Sequence, residues 1–191
     1  MHDMMKHICI LLTALSLAAY SNLAASAETL PKVRLETSAG NIDIELYPAE
    51  APQTVGNFLQ LVDDNFYENL VFHRVAANFV IQAGGYDAKL NYRDPPRTVV
   101  NESLNGLSNS KGTIAMARTS DPDSADTQFF INVKHNGQLD GAPGRPGYTV
   151  FGMVIDGMDV VVDIELSDTH LANGMAGVPT VPITIHRATR L

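Results

Sequence analysis

The sequence predicts a mainly β domain, a closed eight-stranded antiparallel β-barrel capped by two α-helices. Three observations carry this expectation. Eight short runs have strand character, only two stretches have helical periodicity, and no repeat or strand–helix alternation suggests a parallel sheet.

Val33, Leu35 and Thr37 alternate with Arg34 and Glu36, and Ile42, Ile44 and Leu46 alternate with Asp43 and Glu45. Each pattern is that of a half-buried strand. Ser38-Ala39-Gly40-Asn41 between them has the composition of a hairpin turn, since Gly and Asn tolerate positive φ. Pro52 suits the first turn of a helix, where its missing N–H costs nothing, and Val55, Phe58, Leu59 and Val62 then form one apolar stripe. Asp63-Asp64-Asn65 ends that helix. Strand character returns at Leu70–Val75 and Phe79–Ala83. Residues 84–112 turn polar, with Pro95-Pro96 and several Asn, and predict a long surface excursion. Thr113–Ala117, Gln128–Asn132 and Tyr148–Val154 are three further strands, Met158–Leu166 a second helix and Val181–His186 the last strand.

Residues 1–27 read as a signal peptide and residues 28–191 as the folded domain. From Ile8 to Ala19 the chain is almost continuously apolar, too short to span a bilayer, and Ala25-Ser26-Ala27 offers small residues for cleavage before Glu28. Asp3 weakens the positive leader expected of a signal, which leaves translation from Met5 as an alternative. An uncleaved membrane anchor is another. The single cysteine, Cys9, lies inside this segment, so the mature domain is expected to carry neither thiol nor disulfide. Together these features predict a bacterial periplasmic protein with no stable membrane association once the signal is removed.

A chain of 191 residues, 45% hydrophobic and 18% charged, is long enough for one sizeable core. Its formal net charge of -8, with Lys32, Lys89, Lys111 and Lys134 scattered among acids, argues against a nucleic-acid partner. His73, His135, His170 and His186 show no metal-ligand spacing, and Asp121-x-Asp123-x-x-Asp126 lacks the glycine and terminal glutamate of a calcium loop. The Gly141–Gly147 segment lacks the Gly-Lys-Ser/Thr ending of a phosphate loop. No metal or other cofactor is predicted.

The chemistry concentrates in Phe72-His73-Arg74-Val75 and Phe79 through Gly85, with Gln128 through Asn132 further on. These runs offer an apolar slot with a fixed cation and a few amides, suited to holding an uncharged group. Strand alternation from Leu70 puts Phe72 and Arg74 on one face and His73 and Val75 on the other. Likewise Gln128, Phe130 and Asn132 share a face opposite Phe129 and Ile131. His73 invites a role as general base, but no nucleophile stands in a recognisable setting beside it. A hydrogen-bonded structural histidine is expected instead.

In these residues, and in Gly112 through Ala117, Gln128-Phe129-Phe130-Ile131 and Phe151-Gly152, the chain resembles the cyclophilins, which are peptidyl-prolyl cis-trans isomerases. The matching segments run in order from Val33 to Ile185, and Ala117-Arg118-Thr119 resembles the bacterial periplasmic branch. The resemblance implies a catalytic group of Arg74, Phe79 and Gln82. It implies substrate-binding roles for Val80, Ala117, Arg118, Gln128, Phe130, Leu139 and Tyr148. The partners it implies are proline-containing polypeptides, handled by a monomer. The alternative is a peptide-binding chaperone or interaction module with the same pocket and little turnover.

Some positions depart from the family pattern. Gln138 stands where many members have tryptophan, Tyr148 where histidine is common, Ala77-Asn78 where Pro-Gly is usual, and Val80 where methionine is common. Loss of the indole predicts weak cyclosporin binding. Arg118 replaces an asparagine and adds a second cation, which points to acidic or extended substrates.

Overall fold

The computed structural model describes residues 29–191, and the predicted signal segment lies outside the described residues. Strands β1 (Lys32–Thr37) and β2 (Gly40–Leu46) form the expected hairpin, with Leu35 opposite Ile42 and Val33 opposite Ile44. Helix α1 (Pro52–Asp63) buries Val55, Phe58, Leu59 and Val62 as the stripe predicts. There follow β3 (Arg74–Ala76), β4 (Val80–Ala83), β5 (Thr113–Met116), β6 (Phe129–Asn132), β7 (Val150–Asp156) and helix α2 (Met158–Glu165). Strands β8 (Thr169–Ala172), β9 (Met175–Pro179) and β10 (Ile185–Arg190) complete the chain.

One mainly β, antiparallel sheet of eight strands runs in the order β10-β1-β2-β7-β5-β6-β4-β3, and β8 pairs only with β9. The terminal strands β3 and β10 do not pair with each other as strands, but the segments that lead into them do. The Phe72 amide donates to the Ile183 carbonyl at 2.9 Å, Ile185 to Leu70 at 2.8 Å and Asn69 to Ile185 at 2.8 Å. The concave side holds the core. There Phe129 meets Phe58, Tyr67 and Phe72 edge-on, with Leu35, Ile44, Ile81 and Phe151 fully buried around them.

Three expectations need correction. The strand predicted from Leu70 starts only at Arg74, so simple alternation does not hold across Phe72 and His73: Phe72 and Val75 both join the core while Arg74 faces away. The last strand begins at Ile185 rather than Val181, because Pro182 has no N–H for a ladder and Val181 is exposed. The β8–β9 hairpin is additional. Its mostly exposed residues carry little alternation, although Asn173-Gly174, both at positive φ, is a turn signal for such a hairpin.

The excursion over residues 84–112 is also more than surface. Val99 joins the core and Ser103 and Asn109 are buried. At the start of α1 the cap residue, Ala51, offers no side-chain acceptor. Glu102 of the excursion supplies one, accepting hydrogen bonds from the main-chain N–H groups of Gln53 (3.1 Å) and Thr54 (2.9 Å) and from the Thr54 hydroxyl (2.7 Å). A carboxylate here satisfies orphan donors and complements the positive end of the helix dipole. Glu102→Ala is therefore expected to lower unfolding free energy by about 1–2 kcal/mol, read from the urea midpoint.

Candidate active site

Antiparallel register lays out the site. Arg74 of β3 stands opposite Gln82 of β4, Gln82 opposite Phe130 of β6, Phe130 opposite Ala115 of β5, and Ala115 opposite Val150 of β7. Residues paired in this way project to one side of a sheet, so the row lies on the face opposite the core. Val80, Ala115, Phe130 and Val150 make a second buried apolar cluster there, with Phe79, Ala117, Leu139 and Tyr148 packed around it.

A cavity of about 240 Å³ opens on this cluster. Of the residues predicted for the site, Arg74, Phe79, Val80, Gln82, Ala117, Arg118, Phe130, Leu139 and Tyr148 line it. Gln128 is one hydrogen bond away. The Arg74 Nη1 donates to Gln82 Oε1 at 3.3 Å, and Gln82 Nε2 donates to Gln128 Oε1 at 3.1 Å, so the two amides orient the guanidinium in series. Phe79 enters by an irregular path. It precedes β4 in a turn where Asn78 takes φ 55° and the Phe79 amide bonds the Ala76 carbonyl, which lets Phe79 share the cavity with Val80.

The opposite wall comes from loops. Leu139 ends a short 3-10 turn, and the Tyr148 amide donates to its carbonyl at 2.9 Å. Gly147 lets these segments meet, because a Cβ there would lie 2.5 Å from the Leu139 oxygen. The Tyr148 ring stands edge-on to Phe130 with centroids 5.7 Å apart. Arg118 covers its other side, with Cζ 4.7 Å from the Tyr148 centroid.

Beneath this wall runs a polar network that the sequence reading missed. Asp140 accepts from the Ser108 hydroxyl at 2.6 Å and from the Asn109 amide and side chain at 2.7 and 2.9 Å. Burial pushes the Asp140 pKa up, but these hydrogen bonds outweigh it and hold the carboxyl below its ordinary value. Fully buried Asn132 donates to Thr113 Oγ1 and Asn109 Oδ1, while Asn136 donates to Asn132 Oδ1 and to the Phe79 carbonyl. Leu139 and Phe79 are thus tied to one set of amides. The available signal was Asn132, a polar residue on the face that also carries Phe130.

His73 points elsewhere. It is 3% exposed and packs on Tyr86 with ring centroids 4.7 Å apart, and its Nδ1 finds no hydrogen-bond partner among the described residues. Burial lowers its pKa from 6.5 to about 4. The unfolded chain therefore binds this proton more readily, and stability that is full above pH 6.5 drains away as pH falls toward 4. Between about pH 7 and about pH 4.5 the loss from this group should be about 2 kcal/mol. Urea unfolding of the native chain and of His73→Phe at both pH values checks this: the variant should lose less.

Residues 32–190 match the family model described as cyclophilin type peptidyl-prolyl cis-trans isomerase/CLD. The chain is 44% identical over 182 residues to a peptidyl-prolyl cis-trans isomerase of Acinetobacter baylyi, covering 95% of this chain and 94% of that one. It is 43% identical over 181 residues to peptidyl-prolyl cis-trans isomerase A of Dickeya dadantii, covering 95% of each. Among solved structures, a Cryptosporidium parvum cyclophilin type isomerase crystallised in the presence of the dipeptide Ala-Pro superposes with a TM-score of 0.69 at 27% identity. That match covers 82% of this chain and 96% of that one.

Proposed function

The chain belongs to the cyclophilin-type peptidyl-prolyl cis-trans isomerases, and from that premise we propose that Arg74 is its catalytic donor and the Phe130 cavity its proline pocket. Its activity is rotation about Xaa-Pro peptide bonds. One observation carries the assignment of residues: a guanidinium aligned by Gln82 and Gln128 borders an apolar cavity in the same row of the sheet as Phe130.

The physical reasoning starts from the bond. Rotation is opposed by about 18–20 kcal/mol because the nitrogen lone pair is delocalised into the carbonyl. Twisting returns that pair to nitrogen. A planar amide nitrogen is a poor acceptor and a pyramidal one a good acceptor, so a fixed N–H donor binds the twisted state and nearly ignores the ground state. A charge-assisted hydrogen bond contributes roughly 1.5–3 kcal/mol, or about one to two powers of ten in rate. The remainder falls to the cavity. Phe79, Val80, Phe130, Leu139 and Tyr148 seat the proline ring, and the organised amides of Gln82 and Gln128, with the main chain at Ala117 and Arg118, orient the substrate backbone.

The working site is that of a monomer needing no cofactor, delivered to the periplasm after cleavage at Ala27. The apolar run from Ile8 to Ala19, the Ala25-Ser26-Ala27 segment and the bacterial relatives support this location. N-terminal sequencing of the exported protein should begin at Glu28, and a retained Met would contradict it. Cyclosporin should bind weakly, since Gln138 is exposed and outside the cavity lining. Nanomolar inhibition would overturn that.

NMR exchange spectroscopy on an Ala-Pro peptide tests the assignment. Faster cis–trans exchange, with shifts of resonances from the Arg74 and Phe130 row, is expected. Saturable binding without faster exchange would instead make the protein a peptide-binding module.

A further inference from the structure

Two cations border the cavity, Arg74 and Arg118, and its lining includes no carboxylate. Among the described residues the ion pairs are Lys32–Glu45, Arg34–Asp43 and Arg190–Asp63, so neither cavity arginine is in one. Arg118 is nevertheless held still. Its Nε donates to the Gly147 carbonyl, Nη1 to the Thr119 carbonyl and Nη2 to the Pro146 carbonyl, each at 2.9 Å, and the group lies over Tyr148. Neutral carbonyls fix a guanidinium without cancelling its charge, and two of its five N–H groups stay free.

Acids of the neighbouring loops are engaged by neutral donors instead. Asp121 accepts from the Asp123 amide, Asp123 from the Asn101 amide, Asp140 from Asn109 and Ser108, and Glu102 from the first turn of α1. None of these acids pairs with Arg118 among the described residues, so on a chain of net charge -8 an ordered guanidinium with no carboxylate partner stands at the cavity edge. Because the fold has already ordered the side chain, an incoming anion does not have to immobilise it.

We propose that Arg118 is a specificity-determining residue that makes this isomerase favour prolines flanked by an acidic residue. The inference rests on the reading of the Arg74 cavity as the isomerase site. It also revises the expected role of Arg118, whose side chain serves the Gly147 wall and the local charge while only its main chain is left for the substrate backbone.

The test is NMR exchange on otherwise identical Ala-Pro peptides carrying Glu, Gln or Lys beside the dipeptide, on either side. For at least one side, kcat/KM should be about two- to fivefold higher with Glu than with Lys at low salt, and the ratio should approach one as salt rises. Arg118→Gln should bring the ratio to about one at all salt concentrations, whereas Arg118→Lys should keep it above one while losing the planar fork. Equal rates for the three peptides in the native chain overturn the charge preference. So does a Lys variant that falls together with the Gln variant, which assigns Arg118 to wall structure alone. No acceleration even of the Gln peptide overturns the isomerase-site reading itself, a distinguishable result.

Discussion

Arg74→Ala is expected to lower kcat for an Ala-Pro peptide by about ten- to a hundredfold, the worth of one charge-assisted hydrogen bond made only in the twisted state. KM should change little, because the planar amide nitrogen gives the guanidinium nothing to bind. Arg74 is half-buried and forms no ion pair among the described residues, so the unfolding free energy should move by no more than about 0.5 kcal/mol. Arg74→Lys should fail in the same direction, since an ammonium on a flexible stem lacks the planar fork that Gln82 aligns. NMR exchange at saturating and subsaturating peptide separates kcat from KM. A variant with native kcat would remove Arg74 from its assigned role.

Truncating either of two adjacent phenylalanines should give opposite phenotypes. Phe129 is fully buried and meets Phe58 and Tyr67 with centroids 5.7 and 5.5 Å away. Phe129→Ala opens a cavity in the main core and should cost about 3–5 kcal/mol of stability. Phe130 belongs to the second cluster, whose far side is the open pocket. Phe130→Ala should cost less stability, because water and Tyr148 can fill the gap, but it removes a wall of the proposed proline seat and should raise KM about tenfold, the worth of roughly 1.4 kcal/mol of lost contact. Urea unfolding with peptide kinetics on both variants checks the split. Equal stability losses would mean the two clusters are one core.

That contrast was legible in the sequence because Phe129 through Asn132 is a regular strand, in which period two assigns faces without further information. The hairpin of β1 and β2 and the stripe on α1 were legible for the same reason. Alternation failed at Phe72 and at Phe79, where the backbone leaves the strand: the first lies before β3 begins, and the second sits in a turn with Asn78 at positive φ. Only the family resemblance placed Phe79 in the pocket. The supports of the site were illegible for a different reason. Glu102 on α1, Asp140 on Asn109 and Asn136 on Phe79 join residues 31 to 57 positions apart through irregular segments, and no local period encodes such pairings.

The main-chain bonds from Asn69, Phe72 and Ile185 occupy donors that the outermost strands' approaches would otherwise offer to any extended polypeptide. A folding helper meets its clients while they are still seeking such partners. With those donors taken, an extended chain finds little to zip onto there, whereas the Arg74 recess stays open.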